Sequence, residues 1–298
     1  MTTSAVVVTY NRLPLLKEVI AALQASETPV DHLIVVDNHS DQETKEYLTK
    51  LGTAIEYVRL EENLGGAGGF NRGVRYFMEH TQDEFVWLMD DDTVPAPDAL
   101  GKLLAFAKTE PHFGFLSSDV RWIDGHRAKM NNPAPKHGLF KIPENETTPV
   151  ELMNATFVSL LVRRAVVAEI GLPITAFFIW GDDIEYTERA GRVAPGYFVP
   201  ASRVIHKMGA NVGSNILHDS LERLPRYFYS YRNKKYYGAK RDLLGRIKSN
   251  LRIYGEGLQL RLLPGISHRA ERLKVWREGV AAGKQFNPDI EFADRYEE

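Results

Sequence analysis

The chain has 298 residues, of which 44% are apolar, 26% charged and 10% aromatic, with no cysteine and a formal net charge of −2. That is the composition of a folded globular protein, one large domain or a large one with an appendage, and it excludes disordered, disulfide-stapled and thiolate-metal classes. The longest stretch free of Asp, Glu, Lys and Arg, Ile170–Gly181, has twelve residues, whereas a bilayer span needs about 18–20. The start, Met1-Thr2-Thr3-Ser4, lacks the basic segment and long apolar run of a signal peptide, so a cytoplasmic protein is expected.

Ala5–Val8 is a β-branched run, followed by Asn11-Arg12-Leu13-Pro14 and by Leu15, Leu16, Val19, Ile20 and Leu23 at helical spacing, which predicts strand, loop and helix. His32–Val36 predicts a second strand, and a helix from Gln42 carries Ser40 and Glu43 at capping-box spacing. Ile55–Leu60 predicts a third strand, followed by a glycine-rich loop and a helix from Phe70. Phe85–Met89 predicts a fourth, ending in Asp90-Asp91-Asp92, with a helix over Pro97–Lys108. Such alternation predicts an α/β fold, a mainly parallel sheet flanked by helices, with ligands outside the carboxyl ends of its strands. Ser118–Pro149, rich in Pro, Asn, Gly, His and Lys without a period, reads as a long functional excursion. Thr156–Val162 resumes as a strand and Val204–His206 is a short one. The body is expected to close near Met208, giving a catalytic unit at 1–208 and a helical region at 209–298 with breaks near Gly238, Gly255 and Pro264-Gly265.

Three consecutive aspartates after an apolar strand repel one another unless a cation neutralises them. A solvated acidic turn is the alternative, and the strand in front argues against it. Hard oxygen donors suit Mg²⁺ or Mn²⁺, which leave positions for water and substrate phosphates. Gly65, Gly66, Gly68, Gly69 and Gly73 fall between a strand and a helix, so backbone must approach something closely there. Helix N-terminal amides favour an anion, and Arg72 adds charge for a diphosphate, although a glycine-rich turn can also be purely structural. The spacing is neither a dinucleotide fingerprint nor a P-loop. Asp182 and Asp183 open an expected helix, where capping is the alternative role for Asp182. His206 follows a short strand and is either a structural imidazole or a third ligand beside Asp90 and Asp92.

In this order the residues resemble nucleotide-sugar glycosyltransferases of the GT-A type, family 2, over roughly residues 4 to 240. Val8-Thr9-Tyr10-Asn11-Arg12 is similar to that family's opening nucleotide loop, and Val36-Asp37-Asn38 to the segment whose carboxylate contacts uracil. The run from Asn63 to Gly73, with Gly66 and Arg72, resembles the loop under the diphosphate. Met89-Asp90-Asp91-Asp92-Thr93 resembles the metal motif, with Asp91 on the nucleotide side and Asp90 and Asp92 on the metal. Trp180-Gly181-Asp182-Asp183, followed by Glu185-Tyr186 and Arg189-Ala190-Gly191, resembles the segment that carries the catalytic base. Within the family the pattern is most similar to bacterial galactofuranosyltransferases, and rhamnosyltransferases share much of it. The galactofuranose polymerases are much longer, which implies an initiating or single-linkage enzyme.

The resemblance implies inverting, metal-dependent transfer from UDP-galactofuranose, or from dTDP-rhamnose in the alternative, to a hydroxyl of a polyprenyl-diphosphate-linked glycan in cell-wall or surface-polysaccharide synthesis. Asp183 is the expected base. Mn²⁺ or Mg²⁺ on Asp90, Asp92 and His206, with Arg72, would stabilise the leaving diphosphate. Trp180 and Asp182 are expected in the acceptor and sugar pocket, and a retaining route would need Asp182 as nucleophile. Rival classes are a nucleotidyltransferase, for which Arg12 alone is a thin basic signature, and a non-catalytic nucleotide-binding protein whose tail binds nucleic acid.

Residues 221 to 278 carry fifteen Lys and Arg against five Asp and Glu. Arg223, Arg226, Arg232, Lys234, Lys235, Lys240 and Arg241 interleave with Tyr227, Phe228, Tyr229, Tyr231, Tyr236 and Tyr237. This suits an anionic membrane surface, single-stranded nucleic acid, or a helix that packs its aromatics on the body. The resemblance favours peripheral docking at the inner face of the cell membrane without a nucleic-acid partner, and leaves a homo-oligomer open.

Overall fold

The structure is a computed structural model that describes residues 1–137 and 141–294. The opening β-branched run forms β1 (Thr3–Thr9), buried throughout, and α1 (Leu13–Gln24) buries Leu16, Val19, Ile20 and Leu23 at i, i+3, i+4 and i+7. β2 (His32–Asp37), α2 (Gln42–Leu51) and β3 (Glu56–Arg59) repeat the unit. The expected capping box on Ser40 does not form. Asp41 caps α2, its Oδ1 accepting from Thr44 N at 2.9 Å, because Ser40 Oγ is taken by Asn11 N at 3.0 Å.

The next helix, α3 (Gly65–His80), begins earlier than expected, so the glycines form its first turns rather than a loop. The reason is space: a Cβ on Gly69 would lie 2.3 Å from Val8 Cγ1, and one on Gly73 2.3 Å from Val6 Cγ1. Only hydrogens let the helix lie this close to β1.

β4 (Phe85–Asp90), β5 (Thr93–Pro95), α4 (Ala99–Thr109) and β6 (Phe115–Arg121) follow. The expected excursion is therefore shorter: its first residues belong to β6, it contains the two-residue β7 (Ala134–Pro135), and β8 (Val150–Asn154) closes it. Residues 138–140 lie outside the described residues. β9 (Leu160–Arg163), α5 (Arg164–Ile170), α6 (Asp182–Ala190) and β10 (Gly196–His206) complete the body. Then come α7 (Arg226–Ala239), α8 (Leu243–Leu262) and α9 (Arg269–Ala282). Gly255 does not interrupt α8, since an isolated glycine costs a helix only about 1 kcal/mol.

The sheet order is β3-β2-β1-β4-β9-β6-β10-β8-β7, with β5 on β10. It is parallel from β3 to β4 and again between β6 and β10, while β9 runs antiparallel between β4 and β6. Alternate residues of β1 face opposite layers, Ala5 and Val7 toward α1 and α4, Val6 and Val8 toward α3. The register sets Thr9 opposite Asp37 and Val8 opposite Asp90, so acidic residues from two strands end at one edge.

Replacing Gly73 by Ala should lower the free energy of urea unfolding by about 1–3 kcal/mol through overpacking, despite alanine's better helix propensity. An unchanged midpoint would mean that α3 lifts freely from β1.

Candidate active site

Because Val8 pairs with Asp90, the next residues of the two strands meet: Thr9 Oγ1 donates to Asp91 Oδ2 at 2.7 Å, and Tyr10 N reaches the same oxygen at 3.3 Å. Arg12 Nη1 lies 2.6 Å from Asp92 Oδ2 and 3.4 Å from Asp91 Oδ1. The strand that starts just after the triplet, β5, pairs antiparallel with β10 and sets Thr93 opposite His206. That pairing delivers His206 Nε2 to 2.8 Å from Asp92 Oδ1. Asn131 Oδ1 accepts from His206 Nδ1 at 2.8 Å, and since an amide oxygen only accepts, Nδ1 carries the hydrogen.

Asp92 Oδ1 is buried with no hydrogen-bond donor, the imidazole contact lying off the donor direction. A carboxylate oxygen without a donor beside a ring nitrogen is what a cation would satisfy. Ligand atoms of Asp90, Asp92 and His206 all lie within 4.8 Å of one another, so the donor set fits a hard divalent ion. Burial, reinforced by Asp92, pushes the Asp90 carboxyl up to about 7, and burial pushes Asp91 up to about 6 despite Arg12. Asp92 is equally desolvated, yet His206 and Arg12 outweigh burial and hold it below the usual carboxylate range. With Asp91 and Asp92 only 4% and 3% exposed, the triplet is no solvated turn.

The opening loop is held by Asn11, at φ 54°, whose N donates to Ser40 Oγ at 3.0 Å and whose Oδ1 accepts from Asp41 N at 2.7 Å. Asp37 is fully buried and its oxygens are taken by Ser40 N at 2.7 Å, Tyr57 Oη at 2.8 Å and Arg59. In this structure Asp37 braces the loop, with neither oxygen exposed to solvent. Asn38 clamps the start of α3 through Leu64 N at 2.9 Å and Gly65 O at 2.8 Å, and Asn63 Oδ1 accepts from Gly65 N at 2.8 Å. At Gly65, φ is +72°, and a Cβ would lie 2.0 Å from Phe178 O. The close approach anticipated there is therefore to the chain's own backbone. Gly66 has open space where a side chain would project. Arg72 is exposed on α3, and Arg12 is the arginine paired with the aspartates.

Phe178, Trp180 and Gly181 have φ of 62°, 63° and 99°, and each non-glycine residue so held costs about 1–3 kcal/mol. Asn233 of α7, fully buried, fixes this turn by donating Nδ2 to the carbonyls of Phe177 at 3.0 Å, Ile179 at 3.3 Å and Trp180 at 2.9 Å. The turn presents Asp182 and Asp183 as the first residues of α6, with Asp183 Oδ1 accepting from Ile184 N at 2.7 Å. Burial pushes Asp183 up to about 6. Asp182 lies well above the ordinary range through burial, then through the charges of Asp183 and Asp90. At the far end of α6, Arg189 binds Glu185 Oε2 at 2.9 Å and Leu172 O at 3.0 Å, anchoring the helix to the body. The Trp180 ring meets Tyr227 edge-on at 5.0 Å.

Two residues of this arrangement, Asn131 and Asn233, carried no signature in the sequence, although Asn131 lies in the aperiodic excursion. The tyrosines of α7 turn mostly inward, while Arg226 stays exposed. Tyr227, Tyr231, Tyr236 and Tyr237 are buried, Arg241 binds Glu188, and Lys240 lies over the Tyr236 ring. Aromatics packed this way cannot stack on bases.

Asn233→Ala leaves the Ile179 and Trp180 carbonyls without their donor, Phe177 O keeping Ile179 N and Arg232, and should cost about 1–3 kcal/mol. Faster hydrogen exchange at residues 177–181 should accompany it in mass spectrometry. Unaltered exchange there would mean that the turn holds without α7.

The family model described as Glycosyl transferase family 2 matches residues 4–171, which include the triplet and stop short of Asp183. Galactofuranosyltransferase GlfT1 of Mycobacterium tuberculosis is 32% identical over 248 residues, covering 78% of this chain and 80% of that one. The N-acetylglucosaminyl-diphospho-decaprenol L-rhamnosyltransferase of the same species is 24% identical over 238 residues, covering 70% and 76%. Among solved structures, GalNAc-T7 with UDP, GalNAc and Mn²⁺ aligns over 93% of this chain and 55% of that one, at 14% identity and a TM-score of 0.59. With its parallel strands ending in an aspartate triplet, the chain has the GT-A fold and belongs to glycosyltransferase family 2.

Proposed function

We propose that this glycosyltransferase moves galactofuranose from UDP-galactofuranose, with inversion and the help of Mn²⁺ or Mg²⁺, to a hydroxyl of a polyprenyl-diphosphate-linked glycan in cell-wall or surface-polysaccharide synthesis. The observation that supports the chemistry is the cluster of Asp90, Asp92 and His206, whose ligand atoms lie within 4.8 Å of one another, in a chain whose α6 opens with Asp182 and Asp183. The donor sugar rests on the likeness to GlfT1 over most of both chains. The rhamnosyltransferase relative favours dTDP-rhamnose as the second reading.

Asp90, Asp92 and His206 would hold the cation, which when bound offsets the negative charge that develops on the departing diphosphate. Asn131 keeps the Nε2 side of His206 turned to that site. Thr9, Asn11, Arg12, Asn63, Gly66 and Asp91 line the donor side, Asp37 bracing them, and half-exposed Arg12 supplies positive charge for phosphate oxygens. Asp183 takes the proton from the acceptor hydroxyl as it attacks the anomeric carbon opposite the leaving group. Asp182, whose ionisation burial and its charged neighbours disfavour, is the weaker nucleophile candidate, which supports one inverting displacement over a retaining pair. Trp180 and Asp182 border the acceptor pocket.

No helix among the described residues is long and apolar enough to cross a membrane. In this reading residues 1–208 bind the donor, residues 209–298 face the acceptor, and the protein works peripherally at the inner membrane face.

A panel of UDP- and dTDP-sugars with a polyprenyl-diphosphate acceptor analogue, with and without Mn²⁺, tests the proposal by nucleotide release and product mass. Release with no UDP- or dTDP-sugar would end it. Asp183→Asn should keep donor affinity and lose at least ~10²-fold in turnover. A base pushed up to about 6 is protonated at lower pH, so the wild-type rate should fall as pH drops through about 6 and level off above it. Chelation should abolish transfer, and Asn131→Ala should weaken Mn²⁺ binding by about 10–100-fold in calorimetry, the scale for losing a ligand's supporting hydrogen bond. Equal Mn²⁺ affinity in that variant would remove Asn131 from the site.

A further inference from the structure

The apolar surface that α7 lacks is found on α8. Leu244, Ile247, Leu251, Tyr254, Leu258 and Leu262 recur every three or four residues and are each 46–70% exposed. At about 100° per residue they fall within an arc of about 80°. Ile253, Gly257 and Leu260, on another face of the same helix, are buried against α9 and its Trp276. The helix is thus apolar both where it packs and along this exposed stripe, of which Tyr254 at the border meets Trp276 edge-on at 6.3 Å, and surface helices ordinarily place polar residues on the second face. Lys248 and Arg252 border the exposed stripe on one edge and Arg261 on the other, all exposed.

We propose that this outer face of α8 is an interfacial membrane-docking surface that beds its leucines among the lipid chains and sets its flanking cations against anionic headgroups. Charge selects the occupant. In a two-fold contact between copies of this chain, basic edges would face basic edges whether the helices ran parallel or antiparallel, whereas an anionic bilayer complements both. A stripe of aliphatic residues with an aromatic at its border and basic flanks is the pattern of helices that lie in the interface plane. Position fits as well, since α8 packs on α7, whose Asn233 holds the turn that presents Asp182 and Asp183. The proposal rests on the lipid-linked acceptor reading and replaces docking through the whole of residues 221–278 with docking through one face of α8.

Flotation with phosphatidylglycerol–phosphatidylcholine vesicles tests it on the full chain. The wild type should float with anionic vesicles, less so at high salt, and a Tyr254→Trp variant should shift its emission to the blue on vesicle addition. The double variant Leu251→Asn/Leu258→Asn, altered only at exposed positions, should lose at least tenfold in binding while keeping its melting temperature and its rate on a short-chain, water-soluble acceptor. Lys248→Gln/Arg252→Gln should weaken binding chiefly at low salt. Equal flotation of wild type and double variant, absence of wild-type flotation with anionic vesicles, or a wild-type dimer that the double variant dissolves would each overturn the proposal. Loss of the glycosyltransferase reading would show separately, as no transfer to the soluble acceptor.

Discussion

Carboxylates held out of water beside one another are the constraint on which this molecule turns. Asp90, Asp91 and Asp92 end a strand buried on both faces, and Asp182 stands near enough for Asp90 to disfavour its ionisation. Desolvating so many acids is costly unless each finds a partner, a proton or a metal. Thr9 and Arg12 come from β1 and the loop behind it, His206 comes from β10, and Asp90 and Asp182 take up protons more readily than ordinary acids. The sheet is arranged to bring these partners in. Between Val199 and Arg203 the register of β10 shifts, and its second half pairs with β6 on one side and with β5, beside the triplet, on the other. Without that irregularity the imidazole would not stand opposite Thr93.

The second acidic pair depends on strain. A turn with Phe178 and Trp180 in the left-handed region would relax if left to itself, and the structure over-determines it with Asn233, with the contact of Ala67 N to Phe178 O at 3.2 Å, and with the missing side chain of Gly65. One asparagine serving three carbonyls ties α7 to the turn that opens α6, even though α7 follows the sheet in the chain. The aromatic residues around it pack the junction, and the cations between them are held by Glu188, Glu256 and aromatic faces. Burying that belt moves the exposed apolar surface of the C-terminal region onto α8.

Glycine serves two purposes in α3. At Gly65 a positive φ and contact with Phe178 O leave no room for a side chain, which ties α3 to the turn that opens α6. At Gly69 and Gly73 the backbone is ordinary and the helix lies directly on Val8 and Val6. The same run of glycines thus fixes the helix against the sheet and leaves Gly66 open toward the site.

The sequence by itself determined the alternation of β-branched runs and amphipathic helices, because period and burial are local properties, and it marked the Asp triplet and His206 by their places at strand ends and Asp183 by its place at the start of a helix. It also carried the family likeness in its motifs. Contacts between distant segments were left for the tertiary structure to decide. That Asp41 rather than Ser40 caps α2 follows from Asn11 taking the serine, and that Asp37 braces the loop follows from Arg59 and Tyr57 closing over it. Asn131 and Asn233 look like ordinary polar residues until the chain brings His206 and Trp180 to them. A basic, aromatic stretch reads the same whether it faces water or protein. Only packing showed that α7 turns its rings inward while α8, less conspicuous in composition, leaves its leucines outside, because the side of a helix that is covered depends on what the rest of the fold sets against it.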